Sequence, residues 1–370
     1  MILASLKNNV LILVPGKNAR GGITNYYYSI RKNFPENIHY AIRGARTWPN
    51  KSNKFSEGIR FISDYVNFTI NLFRKDIQVV QTTTAFYGSC VIRDGIFLFI
   101  ARLFGKKTIV FFRGWDDKFV YSISGLKKKI VEKVFFRSNV IIDLSQKNID
   151  HLKQMGFKNK LILETTLVDE ALVKDIDVNA CIHKRVEAKT KNILFLSRVE
   201  KTKGIYVLLE AFKKINAVNP DVDLIYAGDG LELNEIKERV AKEKISNVTF
   251  TGFVDGKAKQ ELFMNASVFV FLSEFEGMPN AVLEAMAFGL PVITTDVGGI
   301  ASVFVNEKNG YLLKETNTQV IAENINTLLY NKELNEKIST LNYNEAKEKF
   351  WSNVVAERMK VIFSAVINEK

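Results

Sequence analysis

The sequence predicts an α/β protein of two domains, each built on a parallel β-sheet. Short apolar runs alternate with longer amphipathic stretches along most of the chain, which is the pattern of β-α-β units. The length of 370 residues also exceeds what one ordinary hydrophobic core accommodates. We therefore expect a first domain over residues 1–175 and a second over residues 176–349.

The predicted strands of the first half are Val10–Val14, Ile77–Gln81, Lys107–Phe112 and Val140–Leu144. Those of the second half are Asn192–Ser197, Asp223–Ala227, Val248–Thr251, Val268–Leu272 and Pro291–Thr294. Helices are expected between them, for example over Gly204–Ala217 and Leu231–Glu243. The polar stretch Asp169–Lys191 is interpreted as an irregular linker, and residues 333–370 as consecutive helices.

Composition narrows the class of protein. The two cysteines and three histidines are scattered, which argues against a disulfide framework or a zinc site and favours a reducing cytoplasm. The sequence contains no run of about 18 apolar residues, so no membrane-spanning helix is predicted. The net charge is +12, but residues 1–175 hold 28 basic and 14 acidic residues, so the whole excess lies in the first half. This asymmetry predicts an anionic partner for the first domain alone.

The strongest candidate site is the run from Glu276 to Glu284. Pro279 suits the first position of a helix, so Glu276 is expected in the loop before it and Glu284 on its second turn. The backbone amides of Gly277 to Ala281 would then face an anion such as a diphosphate. The alternative is that both glutamates only solvate a surface helix.

Further candidates follow neighbouring strands. Arg198 comes directly after the strand Asn192–Ser197, and Lys203 precedes the next helix, so two cations at this strand end can neutralise a diphosphate. Taken alone they are more often solvated charges. Gly228 begins a Gly-Asp-Gly turn that lets the backbone approach a ligand. Because ligands bind at the carboxyl ends of parallel strands, these residues are expected to lie close together.

Together these motifs resemble the retaining GT-B glycosyltransferases of family 4. The resemblance rests on R-x4-K, on G-x-G, on Gly252-Phe253-Val254, and on SEFEGMPNAVLEAMAFGLPVITTDVGG at residues 273–299. It is close over residues 192–299 and weak over residues 1–175. It implies a GT-B fold, in which two Rossmann-like domains face each other across a cleft and a terminal helix within residues 350–370 packs back on the first domain.

The resemblance also implies roles for the donor residues. Arg198 and Lys203 would bind the donor diphosphate, and Glu284 would bind the ribose hydroxyls. Glu276, together with the amides of Gly277, Met278, Pro279 and Asn280, would hold the transferred sugar, the proline contributing only its position in the chain. Phe253 and Val254 would face the nucleobase, largely through their backbone. The donor would be a UDP- or GDP-linked sugar acting as co-substrate, with no cofactor and no metal.

The first half offers weaker candidates. Gly21 and Gly22 follow the first strand, where the family has a glycine loop facing the donor, although a simple turn is as consistent with the sequence. Arg113 stands where many relatives carry a histidine, and could contact phosphate. Asp116 could orient the acceptor hydroxyl, and an ion pair between Arg113 and Asp116 is the alternative.

The stretch Gly125–Ser138 predicts a basic amphipathic helix. Lys129, Lys133 and Arg137 form a cationic stripe, with Lys127 and Lys128 beside it. A helix of this composition is typical of contact with an anionic membrane surface, whereas the alternative is a core helix with a solvated face. No aromatic-interleaved basic motif indicates nucleic acid.

The function expected from the resemblance is retaining transfer of a hexose to a glycan or lipid-linked glycan in surface polysaccharide synthesis. The protein is expected to be cytoplasmic and peripheral on the inner face of the membrane. Two alternatives remain: a sugar-nucleotide epimerase or hydrolase of the same fold, and a catalytically silent glycan-binding relative.

Overall fold

A computed structural model describes residues 9–19, 21–44 and 54–369. The chain divides into an N-terminal unit, residues 1–166 with 352–370, and a C-terminal unit, residues 167–351. The division lies before the expected position at 175. Val168 explains this, because its amide donates to the carbonyl of Phe350 (2.8 Å) and it pairs with Trp351, which ties the start of the second unit to its end.

The N-terminal unit is a six-stranded sheet with helices packed on it. Its elements are β1 (Asn9–Val14), α1 (Gly22–Ile30), β2 (Ile38–Ile42), α2 (Lys54–Leu72), β3 (Ile77–Phe86), α3 (Gly88–Leu103), β4 (Lys107–Trp115), α4 (Asp117–Tyr121), α5 (Gly125–Val134), β5 (Val140–Asp143), α6 (Gln146–Gln154) and β6 (Lys160–Leu163). All strands pair in parallel in the order β2-β1-β3-β4-β5-β6.

The C-terminal unit has a second six-stranded parallel sheet. Its elements are α7 (Val178–Glu187), β7 (Lys191–Leu196), α8 (Ile205–Asn216), β8 (Val222–Ala227), α9 (Leu233–Lys242), β9 (Val248–Gly252), α10 (Gly256–Asn265), β10 (Val268–Phe271), α11 (Asn280–Ala287), β11 (Val292–Thr295), β12 (Gly310–Leu313), α12 (Thr318–Tyr330) and α13 (Lys332–Lys349). The strand order is β12-β11-β10-β7-β8-β9. The last helix, α14 (Ser352–Asn368), belongs to the N-terminal unit.

All nine predicted strands are present. Eight of them contain buried apolar residues, whereas β9, at the edge of its sheet, has none. The three strands absent from the prediction are β2, β6 and β12, and each is an edge strand of its sheet. Edge strands are less buried, so their apolar runs are shorter and interrupted: the four residues of β6 are all at least partly exposed. The signal that identifies a strand from sequence is therefore weakest where the sheet ends.

The prediction of an irregular linker over Asp169–Lys191 is wrong, because this stretch contains α7. Val178, Ile182 and Val186 lie four residues apart and are buried. Only three apolar residues repeat, so the period is too short to stand out in the sequence. Buried Arg185, on the same helix, donates to the carbonyls of Phe288 (2.9 and 3.0 Å) and Gly289 (2.8 Å) at the end of α11.

The direction in which successive strands are added to the C-terminal sheet reverses between β7 and β10. From β7 the chain adds β8 and β9 on one side, then returns to add β10, β11 and β12 on the other. The loops that follow β7 and β10 therefore leave neighbouring strands in opposite directions. Such a reversal at the carboxyl ends of the strands opens a crevice, which is where open α/β sheets bind ligands.

In the N-terminal unit, the structure predicts an unusual pH dependence at the end of β5. Burial raises the pKa of Asp143 to about 7, although its carboxylate accepts from the Ser145 amide (2.8 Å) and Asn148 Nδ2 (2.9 Å). A carboxyl with a raised folded-state pKa binds a proton more tightly in the folded chain than in the unfolded chain. The contribution of Asp143 to the free energy of unfolding therefore falls as pH rises from about 4 to 7 and does not change above that range.

We expect Asp143→Asn to remove this loss. Between pH 5 and pH 8 the variant should gain stability relative to the parent, by at most about 3 kcal/mol, because about two pKa units of the shift lie in this window. The measurement is chemical unfolding of both proteins at the two pH values. Asp150→Asn, at an exposed position of α6, is the control. A stability difference that does not change with pH would contradict the raised pKa.

Candidate functional site

Lys203 and Glu276 form an ion pair at the carboxyl edge of the C-terminal sheet. Lys203 follows β7 and Glu276 follows β10, and their Nζ and Oε1 atoms are 2.5 Å apart. The lysine side chain is only 8% exposed and the glutamate 21%. Lys203 Nζ also lies 3.4 Å from Ser273 Oγ and 3.5 Å from the carbonyl of Phe275. Two residues predicted to act on different parts of a donor are thus directly coupled.

The loop carrying Glu276 is held by backbone contacts on several sides. The Glu274 amide donates to the Thr202 carbonyl (2.9 Å), and Thr295 Oγ1 donates to the Ser273 carbonyl (2.6 Å). The Gly299 amide donates to the Gly277 carbonyl (2.7 Å). These contacts fix the backbone on both sides of Glu276, and the ion pair with Lys203 orients its side chain.

Gly298 makes this close packing possible. A Cβ atom there would lie 2.3 Å from the carbonyl oxygens of Glu276 and Gly277, and its φ of +58° is unfavourable for other residues. The glycine at this position therefore lets the loop after β11 contact the loop after β10.

Helix α11 begins one residue later than expected. Pro279 has extended backbone angles and occupies the N-cap position, so Asn280 is the first helical residue. No side chain caps this helix start, and a helix N-terminus is a place where anions bind. Met278 is 6% exposed, so its side chain is buried.

Glu284 lies on the second turn of α11, as expected, and is paired with a residue that the sequence did not indicate. Lys259 of α10 places its Nζ 2.7 Å from Glu284 Oε1, and both side chains are largely buried. The pair orients one carboxylate oxygen and leaves the other available. No sequence motif identifies Lys259, because α10 meets α11 only through the tertiary fold.

Arg198 is oriented differently from Lys203. Its guanidinium pairs with Glu200 at 2.7 Å and is more than half exposed. The loop that carries it packs against the turn after β8, where a Cβ on Gly228 would lie 1.8 Å from the Ser197 carbonyl. The structural need for glycine at Gly228 is thus the contact between two loops of the protein.

The segment after β9 leaves Phe253 about half exposed and Val254 partly buried. The Gly228 amide donates to the Gly252 carbonyl (2.8 Å), which places this segment beside the turn after β8. The residues predicted to bind a nucleotide thus lie on consecutive strand ends of one sheet edge.

In the N-terminal unit, Gly21 is the N-cap of α1 and Gly22 is its first residue. Gly21 has a φ of +140°, and no atom lies within 4 Å of the position of a Cβ atom. The pair therefore forms a helix start with open space beside Gly21, and its predicted contact with a donor stays a prediction.

Arg113 lies near the end of β4, in an aromatic setting. Its guanidinium is 4.1 Å from the ring centre of Tyr26, and Nη2 donates to Thr166 Oγ1 (2.6 Å). Nη1 is buried without a hydrogen-bond partner. Burial lowers the pKa of Arg113 and raises that of Tyr26 well above its usual value.

Asp116 caps α4 by accepting from the Phe119 amide at 3.1 Å. The contacts of Arg113 and of Asp116 do not join the two side chains, so the alternative of an ion pair is not supported. Asp116 has a sufficient local role as a helix cap. An unsatisfied N–H on Arg113, by contrast, is a donor that lacks a partner inside the protein.

The basic helix α5 is shorter than expected and ends at Val134, so Arg137 lies beyond it. Its cationic residues Lys127, Lys128, Lys129 and Lys133 are exposed. None of the helices within the described ranges combines the length and apolarity needed to cross a bilayer. Among residues 9–19, 21–44 and 54–369, no three His, Cys, Asp or Glu side chains are arranged to hold a metal ion.

Comparison with known proteins shows what the C-terminal unit is similar to. Residues 182–345 match the family model for glycosyl transferases group 1. Spore coat protein SA of Bacillus subtilis is 34% identical over 183 residues, 47% of this chain and 48% of that protein. The capsular polysaccharide biosynthesis glycosyltransferase CapM of Staphylococcus aureus is 29% identical over 47% of this chain and 46% of its own. The chain spans about half the length of these curated relatives.

Solved structures establish the fold over nearly the whole chain. HepE of Anabaena, in complex with UDP and glucose, superposes with a TM-score of 0.73 at 16% identity, covering 97% of this chain and all of that one. Sucrose-phosphate synthase of Thermosynechococcus elongatus gives the same TM-score, covering 97% of this chain and 99% of its own. The fold class is therefore GT-B, with two Rossmann-like units.

The contact at Gly298 between the loops after β10 and β11 can be tested by substitution. In Gly298→Ala the added methyl overlaps two carbonyl oxygens, so the loop that holds Glu276 must move. We expect nucleotide diphosphate binding, measured by calorimetry, to weaken by about fivefold to a hundredfold, since forcing an extra methyl into a packed contact costs about 1–3 kcal/mol.

Gly256→Ala is the matched control. Gly256 also has a positive φ, +50°, but no atom lies within 4 Å of an added Cβ. It carries the backbone strain without the overlap. If both variants lost the same affinity, the contact between the two loops would not be what positions the site.

Proposed function

We propose that this protein is a glycosyltransferase that moves a hexose from a nucleotide-diphosphate sugar to a glycan or lipid-linked glycan, with retention at the anomeric carbon. The product would serve surface polysaccharide synthesis. The observation that carries the proposal is the coupled pair Lys203–Glu276 at the sheet reversal, whose glutamate lies in the loop that leads into α11 and Glu284. The family match over residues 182–345 supports the same activity.

In this proposal the diphosphate binds where positive charge converges. Lys203, Arg198 and the start of α11 all lie at the same sheet edge, and the exposed Arg198 can exchange Glu200 for a phosphate without leaving a buried charge unpaired. These groups stabilise the departing diphosphate, which is where negative charge develops. They supply the charge that a metal would bring, so we propose no metal and no cofactor besides the sugar nucleotide.

The two glutamates are proposed to bind opposite ends of the donor. Glu276, oriented by Lys203, accepts hydrogen bonds from hydroxyls of the transferred sugar, and Glu284, oriented by Lys259, accepts from the ribose. The donor is a UDP- or GDP-linked sugar. UDP is the first to test, because HepE was crystallised with UDP and glucose and another GT-B relative, pneumococcal GtfA, with UDP and GlcNAc.

Arg113 is the proposed contribution of the N-terminal unit to the chemistry. Its buried Nη1 lacks a partner within the protein, and an anionic oxygen of the substrate would satisfy it. Gly21 and Gly22 would bring backbone amides to the donor. The lysines of α5 would contact anionic lipid headgroups, which places the protein on the cytoplasmic face of a membrane where a lipid-linked acceptor is found.

The direct test is to incubate the protein with UDP- and GDP-sugars, first without and then with glycan acceptors. Release of a glycosylated product whose anomeric signal in NMR matches the donor supports retaining transfer. Free sugar or an epimerised nucleotide without acceptor would instead indicate the hydrolase or epimerase. Glycan binding without turnover of any donor would indicate a silent relative.

The ion pair predicts that Lys203 and Glu276 act as a unit. Lys203→Met should lower kcat/KM by an amount that corresponds to about 2–4 kcal/mol of lost transition-state stabilisation, the range for losing one preorganised electrostatic group. Because each residue orients the other, the double variant Lys203→Met, Glu276→Gln should be little worse than the poorer single variant. The measurement is a double-mutant cycle on kcat/KM.

Lys201→Met is the control for this cycle, since Lys201 lies on the same short turn but is exposed. It should keep the parent's activity. Additive losses in the double variant would mean that the two side chains work independently, and the proposed coupling would be rejected.

The division between the two glutamates predicts different defects. Glu284→Gln should weaken binding of the free nucleotide diphosphate by about tenfold, the loss of a hydrogen bond to a charged group. Glu276→Gln should change that affinity less, through its partner Lys203, and mainly lower turnover, because contacts to the reacting sugar change most in the transition state. Calorimetry with the nucleotide and steady-state kinetics separate the two. An equal loss of nucleotide affinity in both variants contradicts the division.

A further inference from the structure

Two neighbouring helices of the N-terminal unit expose apolar side chains where a solvated helix has charged ones. On α2 the exposed apolar residues recur at helical spacing: Phe55, Ile59, Ile62, Val66 and Ile70, followed by Phe73. On α3 they are Ile92, Ile96, Phe99 and Leu103. Their exposure ranges from 40% for Ile96 to 79% for Phe55. We call these ten residues the apolar face.

The apolar face contains no charge. From Phe55 to Ile70, the other exposed residues are Ser56, Gly58, Ser63 and Asn67, and on α3 the other exposed residue is Ser89. The charged residues of this part of α2 are not fully exposed: Glu57 and Arg60 pair with each other at 2.5 Å, and Asp64 is buried. A surface helix of a soluble protein normally carries polar and charged residues on this side.

The two helices form one surface together with α5. Helices α2 and α3 meet through Phe97, whose ring lies 4.5 Å from that of Tyr65 and 5.0 Å from that of Phe68. Helices α3 and α5 are in close contact at Gly95, where a Cβ would lie 3.1 Å from Val134. Arg102 Nη1 of α3 also donates to the Val134 carbonyl at the end of α5 (2.6 Å).

The third helix supplies the charge that the first two lack. Helix α5 exposes four lysines over two turns and also Leu126 and Ile130. A surface with an apolar part and a basic part side by side matches an anionic lipid bilayer, because acyl chains accept the first and headgroups attract the second. A second copy of this chain carries the same basic surface, so it offers no negative charge to match the lysines of α5.

We propose that the apolar face of α2 and α3 inserts into the acyl region of an anionic membrane while the lysines of α5 bind its headgroups. This extends the headgroup contact proposed above, since insertion through α2 and α3 rather than attraction to α5 supplies most of the binding free energy. It does not depend on the identity of the donor or on catalysis. Binding that begins through charge should thus persist when salt screens the lysines.

The experiment uses the full chain and sedimentation with vesicles of phosphatidylcholine, with or without phosphatidylglycerol. The apolar-face variant carries Ile62→Gln, Ile70→Gln, Phe99→Gln and Leu103→Gln, all at positions more than half exposed. The matched control carries Val218→Gln and Val361→Gln, which are as exposed but lie on other elements. The charge variant carries glutamine at Lys127, Lys128, Lys129 and Lys133.

We expect the parent and the control to bind phosphatidylglycerol vesicles at physiological salt within about twofold of each other. The apolar-face variant should bind at least about a hundredfold more weakly, on the order of threefold or more for each side chain. The charge variant should lose its preference for phosphatidylglycerol but keep residual binding to both vesicles. Equal binding by the apolar-face variant and the control would overturn the proposal.

Two further readouts separate this proposal from others. If the parent fails to bind vesicles and sediments in the ultracentrifuge as a dimer that the apolar-face variant disrupts, the face is a self-association surface and the proposal is wrong. Transfer to a soluble acceptor analogue is measured in parallel for every variant. Vesicle binding without transfer would count against the proposed enzyme activity alone, and transfer without vesicle binding against the membrane proposal alone.

Discussion

The donor site depends on loops that approach one another more closely than side chains allow. Four glycines occupy the points of contact: a Cβ on Gly204, Gly228, Gly230 or Gly298 would lie within 2.5 Å of a carbonyl oxygen of a neighbouring loop. Because of these contacts the segments after β7, β8, β10 and β11 form one connected edge. The ion pair Lys203–Glu276 joins two of these segments, so its geometry follows from the packing of the backbone beneath it.

A largely buried ion pair is expensive to form, which is why its surroundings matter. Removing a lysine and a glutamate from water costs several kcal/mol for each ion unless hydrogen bonds replace the lost hydration. Lys203 recovers part of this through Ser273 and the carbonyl of Phe275, and Glu276 keeps partial access to solvent. A pair in this state can still accept or donate hydrogen bonds, so a ligand can supply hydrogen bonds that the protein itself does not.

Much of the donor unit could be predicted from the sequence, because most of its strands are buried apolar runs and its site residues stand at fixed distances after them. What the sequence could not indicate were contacts between distant elements. Lys259 and Arg185 lie on helices whose partners are set by the tertiary fold, and neither belongs to a recognisable motif. Helix α7 was missed for a related reason: its three buried residues gain their role only by packing against other helices.

The N-terminal unit illustrates a different limit on prediction. An apolar stripe with helical spacing, as on α2, ordinarily indicates the side of a helix that packs on a core. Here α2 has two such stripes: Phe68 and Leu72 pack on the sheet, and Ile62, Val66 and Ile70 face outward. Periodicity alone cannot separate them, since both follow the same turn of the helix. The sequence did place the excess positive charge in this half, and α5 presents part of that charge beside the outward stripe, so the charge and the exposed apolar area are two properties of one surface.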